Sequence, residues 1–309
     1  MIYNSITELI GNTPLYRPNN FCKENNVPKG TDILCKLEYL NPAGSIKDRT
    51  ALSLIRTAEK EGLLKKGSVI IESTSGNTGI GLAAIGAALG YKVILTMPDT
   101  MTVERRKLLA AYGAEIVLTK GSLGMKGAND KAEELARTIE GAFLASQFSN
   151  PANPLAHKTT TGPEIYEATE GKIDVLVAGV GTGGTISGVG AYLKEKDPSI
   201  EIIAFEPSSS PLLSRGKSGS HGLQGIGANF IPDNLDRSVI DRIITISEAD
   251  AYGAARSLAR TEGILCGVTS GAALAVALSL TEDKRYIGKT IVALLPDTGD
   301  RYLSTPLFE

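Results

Sequence analysis

Short apolar, β-branched runs alternate along this chain with segments whose apolar residues recur every three or four positions. The first pattern predicts strands over 33–39, 69–72, 92–97, 116–119, 143–146, 175–180, 202–205, 243–246 and 290–295. The second predicts helices over 46–61, 79–89, 103–112, 125–140, 162–169, 185–196, 248–261 and 271–280. Local signals agree with several of these boundaries. Ser247, with Asp250 three residues on, reads as a capping box at a helix start. Gly90 and Gly113 follow apolar helices where a left-handed cap is needed. Strand–helix alternation implies an α/β chain with parallel sheets and helices on their faces. Such sheets bind ligands at the carboxyl ends of their strands, so the loops that follow strands are where chemistry is expected.

At 309 residues the chain is long enough for two domains at roughly 150 residues each. The stretch Ser149-Asn150-Pro151-Ala152-Asn153-Pro154 is the best boundary candidate, being dense in turn formers. With 32 basic and 34 acidic residues, nothing in the net charge of −2 points to a nucleic-acid or anionic-membrane partner. The opening residues lack a charged start followed by an apolar run, so no signal peptide is expected. The longest apolar runs are strand-sized, well short of the ~20 residues of a membrane-spanning helix. Cys22, Cys35 and Cys266 are isolated and odd in number, which fits a reducing, cytoplasmic setting better than a disulfide framework. No His/Cys/Asp cluster has metal-ligand spacing, and only two histidines exist, so metal catalysis and a serine triad find little support.

Four stretches carry candidate chemistry. In Asn41-Pro42-Ala43-Gly44-Ser45-Ile46-Lys47-Asp48-Arg49, Ser45 and Asp48 read as a capping box, which makes Lys47 the second helical residue. The positive end of the helix dipole disfavours a cation there, and a lysine acting as a neutral amine nucleophile gains from that placement. The plain alternative is a surface lysine at a helix start. Thr74-Ser75-Gly76-Asn77-Thr78-Gly79 crowds four hydrogen-bonding side chains and two glycines behind a strand, suited to a small carboxylate, or else to an elaborate helix cap. Gly179-Val180-Gly181-Thr182-Gly183-Gly184-Thr185 follows another strand and opens a helix. Its glycines let backbone N–H groups converge on an anion such as phosphate. A dinucleotide fingerprint can also be traced through Gly179, Gly181 and Gly184, with Glu206 as the ribose-binding acid, which keeps a nicotinamide reading open. Ser270, before the last long helix, is by itself a plain N-cap. A phosphate nest, a lysine at a helix start and a small carboxylate loop together match what pyridoxal 5'-phosphate (PLP) requires: a phosphate site, an amine for its aldehyde, and a place for an amino-acid carboxylate.

These four stretches together resemble the PLP-dependent β-substituting enzymes of fold type II, the tryptophan synthase β-like group, and within it the cysteine synthase (O-acetylserine sulfhydrylase) family. Ile6–Leu15, Glu104–Leu109, Gln147–Pro154, Gln224–Ala228 and Arg301–Thr305 match the same pattern in the same order, so the resemblance runs nearly end to end. It implies an α/β fold of two domains: a smaller, mobile one over 41–150, and a larger one from 1–40 plus 151–309, with PLP in the cleft between them. It implies that Lys47 bonds to PLP as a Schiff base and later takes the substrate α-proton, and that Gly181, Thr182, Gly183, Gly184 and Thr185 hold the phosphate. Asn77 would bond the ring hydroxyl and Ser270 would meet the pyridine nitrogen. Thr74, Ser75, Gly76, Thr78 and Gln147 would grip the substrate carboxylate, and Gly225 would line the mouth of the site. The implied reaction replaces the acetoxy group of O-acetyl-L-serine by sulfide in two half-reactions. Carboxylate capture would close the smaller domain and exclude water.

The resemblance also implies a homodimer, and since members of the family dock the carboxyl-terminal tail of serine acetyltransferase, it leaves a competing reading of a binding protein that keeps the site for that role alone, against which the intact lysine, phosphate nest and carboxylate loop argue. Cystathionine β-synthase and O-phosphoserine sulfhydrylase activities belong to the same scaffold and stay open. At this length, the regulatory domains of the animal cystathionine β-synthases are not expected.

Overall fold

The computed structural model describes residues 2–309. Its strands are β1 (Leu15–Tyr16), β2 (Asp32–Leu37), β3 (Val69–Ser73), β4 (Lys92–Pro98), β5 (Glu115–Thr119), β6 (Ala142–Leu144), β7 (Val175–Gly179), β8 (Glu201–Pro207), β9 (Arg242–Ile246) and β10 (Thr290–Leu295). Its helices are α1 (Asn19–Glu24), α2 (Lys47–Lys60), α3 (Asn77–Leu89), α4 (Val103–Ala111), α5 (Gly124–Thr138), α6 (Ala152–Ala156), α7 (Gly162–Ala168), α8 (Gly184–Lys196), α9 (Leu212–Arg215), α10 (Glu248–Glu262) and α11 (Val268–Thr281). The chain divides into two compact units, one built from residues up to 10 with 41–153, the other from 11–40 with 154–309.

The first unit carries a wholly parallel sheet in the order β5-β4-β3-β6. Alternation along β3 sorts its side chains to two faces. Ile70 joins a core with Leu54 and Ile55 of α2 and Ile80, Leu82 and Ile85 of α3, while Val69 and Ile71 join Ala132 of α5. The expectation that residues 1–40 belong with the larger domain needs correction at its start. A 3-10 turn over Ile6–Leu9 packs on α3, and Ile10 packs against the same core as Ile70.

The second unit carries a sheet in the order β1-β2-β10-β7-β8-β9, parallel except for the antiparallel pairing of β1 on β2. Its core is organised on α11, apolar all round and buried along nearly its whole length, as a helix packed on every side must be. Ser247 accepts the Asp250 N–H at the start of α10, as its spacing predicts, and Gly90 adopts the left-handed cap of α3.

Lys36, on an interior strand, is fully buried. Its Nζ donates to the Thr13 carbonyl at 2.5 Å and to Glu164 Oε2 on α7 at 2.6 Å. Removing one member of such a pair leaves a charge in a medium that cannot solvate it. Glu164→Ala is expected to destabilise the fold by about 3 kcal/mol, with Glu164→Gln costing less because an acceptor stays in place. Urea unfolding of the three proteins checks this.

Candidate active site

Within the first unit, the predicted lysine and the predicted carboxylate loop are brought together by helix packing. The capping box at Ser45 forms differently from the expectation. Ser45 Oγ accepts the Lys47 N–H at 3.1 Å, and Asp48 Oδ2 reaches back past Ser45 to accept the Ala43 N–H at 2.6 Å. Lys47 is therefore the first residue of α2, not the second, and Ile46 before it adopts helical dihedrals without a side-chain cap. The carbonyl of Lys47 faces Gly81 of α3, where an added Cβ would stand 3.0 Å from it and 3.1 Å from the Ala51 Cβ. A glycine lets the two helices approach this closely without either giving way.

The loop 74–79 closes the carboxyl end of β3. The N-cap of α3 is Gly76, with no side-chain cap, so the elaborate-cap alternative does not hold. The Thr74 hydroxyl instead accepts the Gly76 N–H at 3.1 Å, and Arg105 of α4 donates to the Ser75 carbonyl at 3.3 Å. Asn77 is the first residue of α3 and Thr78 the second. Thr78 Oγ1 donates to Gln147 Oε1 at 2.5 Å, and Gln147 Nε2 donates to Glu72 Oε1 at 3.1 Å. The Gln147 carbonyl accepts from Asn153 at 2.8 Å, and Asn153 in turn accepts from Thr50 of α2. Thus Lys47, Thr74, Ser75, Gly76, Asn77, Thr78 and Gln147 belong to one packed neighbourhood.

Glu72 went unrecognised in the sequence. It is 2 % exposed, and its Oε2 has no hydrogen-bond partner among the described residues. Burial pushes its carboxyl up from 4.5 to about 7, against a downward pull from the Gln147 amide and the main-chain N–H groups of Gln147 and Ser146. A raised carboxyl favours the fold while protonated. That contribution is complete below pH 4.5 and is lost as pH rises through 7.

In the second unit, the glycine loop, Gly225 and the start of α11 form one contiguous surface. A Cβ at Gly181 would lie 2.2 Å from the Gly225 carbonyl oxygen, and one at Gly183 would lie 2.8 Å from the Leu235 backbone. Gly183 is also left-handed, at φ +80°. Gly183 is the N-cap of α8 without a side-chain cap, and Gly184 and Thr185 are its first two residues. Thr182 is buried, and Thr185 Oγ1 stands 3.3 Å from His157 Nε2. His157 is fully buried in a π-helical turn (His157–Thr161), with its Nδ1 3.0 Å from Thr161 Oγ1. Sequence reasoning missed that link, because a single histidine in a polar run carries no periodic signal. Thr269 donates to the Gln224 carbonyl at 2.8 Å, next to Gly225. Ser270 lies inside the first turn of α11, fully buried, so it is not the N-cap; that position is Gly267.

The nicotinamide alternative loses its footing. Glu206, the acid a dinucleotide site would need, is buried and already accepts the Leu213 and Ser214 N–H groups at 2.7 and 2.9 Å. Cys35 and Cys266 are buried with their thiols pushed up by burial, which suits inert thiols. No cluster of metal-ligating side chains occurs among the described residues.

Comparison with known proteins follows this geometry. The family described as "Pyridoxal-phosphate dependent enzyme" matches residues 6–297. A cysteine synthase of Staphylococcus aureus (strain Mu50) is 53 % identical over 306 residues, covering 99 % of this chain and 97 % of that one. Among solved structures, cysteine synthase from Entamoeba histolytica superposes with a TM-score of 0.96 at 47 % identity, covering 100 % of this chain and 91 % of that one. The O-acetylserine-dependent cystathionine β-synthase of Helicobacter pylori superposes at 0.92 with 38 % identity and full coverage of both chains. The α/β architecture, the glycine loop before α8 and a family match over nearly the whole chain lead to one conclusion: this protein belongs to the pyridoxal-phosphate dependent enzymes, with the fold of their type II group.

Proposed function

We infer that the chain is a cysteine synthase. It breaks the Cβ–O bond of O-acetyl-L-serine, releases acetate, and forms a Cβ–S bond to sulfide to give L-cysteine. The observation that carries this reading is the contact between Gly81 and the Lys47 carbonyl, which seats a lysine at a helix start against the helix that leads from a carboxylate-sized loop. The similarity to the S. aureus and E. histolytica cysteine synthases supports it.

The residues fit the cofactor. Between 179 and 185, the backbone is bare where side chains would otherwise fill the space, and the start of the 13-residue α8 supplies N–H groups and a dipole of the sign a phosphate needs. In this reading Gly181, Thr182, Gly183, Gly184 and Thr185 hold the phosphate, Asn77 the ring hydroxyl and Ser270 the pyridine nitrogen, while Lys47 holds the cofactor covalently. When bound, PLP supplies an electron sink for charge developing at the substrate Cα. A neutral hydroxyl at Ser270 leaves that sink weaker than a carboxylate partner would, which favours elimination at Cβ over transamination. Thr74, Ser75, Gly76, Thr78 and Gln147 grip the substrate carboxylate and so fix which Cα–H bond faces Lys47. The Lys47 amine removes that proton and later returns it to Cα. Gly225 lines the entrance.

The same reading makes the protein a cytoplasmic homodimer able to take the carboxyl-terminal tail of serine acetyltransferase as a ligand. No helix of the described residues is long and apolar enough to cross a membrane. Light scattering checks the dimer, and competition between a tail peptide and L-serine checks the ligand. The nucleophile is set by assay. Cysteine formed from O-acetylserine and sulfide far faster than cystathionine from O-acetylserine and homocysteine supports the assignment. The reverse order would move the chain to the activity for which the H. pylori relative is named.

Two substitutions test the residue roles. Lys47→Ala is expected to lose about 10³-fold or more in turnover, and borohydride should no longer fix PLP to the peptide that contains position 47. Gly181→Ala forces the loop away from the Gly225 carbonyl. It should weaken PLP binding by tenfold or more, as expected for losing charge-assisted hydrogen bonds worth about 1.5–3 kcal/mol, with helix content unchanged. Fluorescence titration with PLP reads the second effect.

A further inference from the structure

Glu72, Gln147 and Thr78 form a buried line of hydrogen bonds from the interior of the first unit to the loop 74–79. All three are at most 5 % exposed. As arranged, Thr78 Oγ1 donates inward to Gln147 Oε1, and Gln147 Nε2 donates inward to Glu72 Oε1. Every proton in the line points toward the carboxylate of Glu72, as an ionised acceptor requires. The reverse arrangement uses the same heavy atoms. A protonated Glu72 donates to Gln147 Oε1, the amide turned over donates from Nε2 to Thr78 Oγ1, and the Thr78 hydroxyl is left to donate outward.

We propose that Glu72 is a positioning residue whose proton sets the direction of this line, so that an amino-acid carboxylate is bound with Glu72 neutral and the Thr78 hydroxyl aimed at it. The proposal rests on the reading of Thr78 and Gln147 as carboxylate-holding residues. Two independent effects have the same sign. An ionised Glu72 turns the Thr78 proton inward, away from an incoming anion. Its charge also repels that anion in surroundings with little screening.

Helix α2 packs on the same core as Ile70, and the charges of its first turn are Lys47, Asp48, which accepts the Ala43 N–H, and the buried Arg49; further along, Arg56 is paired with Glu59. Helix α3, over the face that Glu72 shares with Ile70, carries no ionisable side chain, and β6 carries none. On β4 the one charge is Lys92, at the far end and paired with Glu115. On α5, across the sheet, Lys126, Lys131 and Arg137 are paired with Asp130, Glu134 and Glu133. What acts on Glu72 is burial and hydrogen bonding, and these bring its titration to about 7. Proton uptake at Glu72 therefore accompanies carboxylate binding above that pH.

The test uses the PLP-loaded enzyme and L-serine, which has the substrate's carboxylate and amine but a poor leaving group. Dissociation constants come from the change in visible absorbance between pH 6 and pH 8, for the wild type and for Glu72→Gln. The glutamine amide can donate to Gln147 Oε1 at every pH and so stands in for the protonated acid. Titration of the serine amine and of Lys47 is shared by both proteins and cancels in the ratio of their constants. That ratio is expected near 1 at pH 6, with the wild type weaker by about tenfold at pH 8, one pH unit above the Glu72 midpoint. The infrared difference spectrum of the wild type at pH 8 should gain a protonated-carboxyl band on adding serine, and the variant should gain none. This second readout needs only the wild type, so it decides the matter even if the variant does not fold. Equal pH dependence in both proteins, a variant weaker at every pH, or no carboxyl band in the wild type overturns the proposal. If serine leaves the wild-type spectrum unchanged at every pH, the reading of the loop as a carboxylate site fails first, and the relay fails with it.

Discussion

Where α3 meets the start of α2, a side chain would have to force its neighbours back. Gly81 faces the Lys47 carbonyl at a separation that leaves an added Cβ only 3.0 Å from it, and the rest of the first unit's chemistry depends on that approach. Because α3 begins within the stretch 74–79, at Asn77, this approach sets the start of α2 beside the helix that carries Thr78. The contact costs nothing in side-chain burial elsewhere, since Ile80, Leu82 and Ile85 on the flanks of the same helix fill the core beside it. An alanine at 81 would push α2 from α3 by a few tenths of an ångström and a larger residue by more, shifting Lys47 relative to Thr78 in chemistry that depends on ångström-scale placement.

The second unit applies the same device to anion binding. Gly181 and Gly183 are glycines because neighbouring backbone occupies the volume their side chains would need, from Gly225 and Leu235 respectively. Close backbone approach on one side leaves the N–H groups of the turn and of the first residues of α8 presented together. Behind this turn, Thr185 and His157 are coupled through a π-helical turn, an irregularity of the kind that gathers at functional sites. Both units thus use a parallel strand, a glycine-containing turn and a helix start, which is why the two loops echo one another in sequence.

Most of the fold was legible in the sequence. Parallel strands buried on both faces leave continuous runs such as Thr290–Leu295, which match the observed β10 end for end. Glycine loops are readable because their requirement is local: a turn with positive φ or no room for a Cβ. What the sequence did not reveal depended on distant partners. β1 has only two residues and pairs across eighteen intervening positions or more, so no alternation could announce it. α1 is six residues long and mostly polar. Ser45 and Asp48 carry the letters of a capping box, but Asp48 is drawn to Ala43 by the turn at Gly44, which itself has φ +82°. Glu72 looked like the polar end of a strand. Only the packed structure makes it a buried acid under Gln147, because its burial is supplied by residues 75 positions away.

The measurement that bears most directly on the central claim is the visible absorbance of the purified, PLP-containing protein, followed as O-acetyl-L-serine and then sulfide are added. The account predicts a band that shifts when O-acetylserine arrives, as one equivalent of acetate is released, and returns to its starting position with sulfide as cysteine appears. A band that ignores O-acetylserine would contradict the assignment of the loop 74–79 and Gln147 to this substrate. A protein that stays colourless after incubation with PLP would contradict the role given to Lys47.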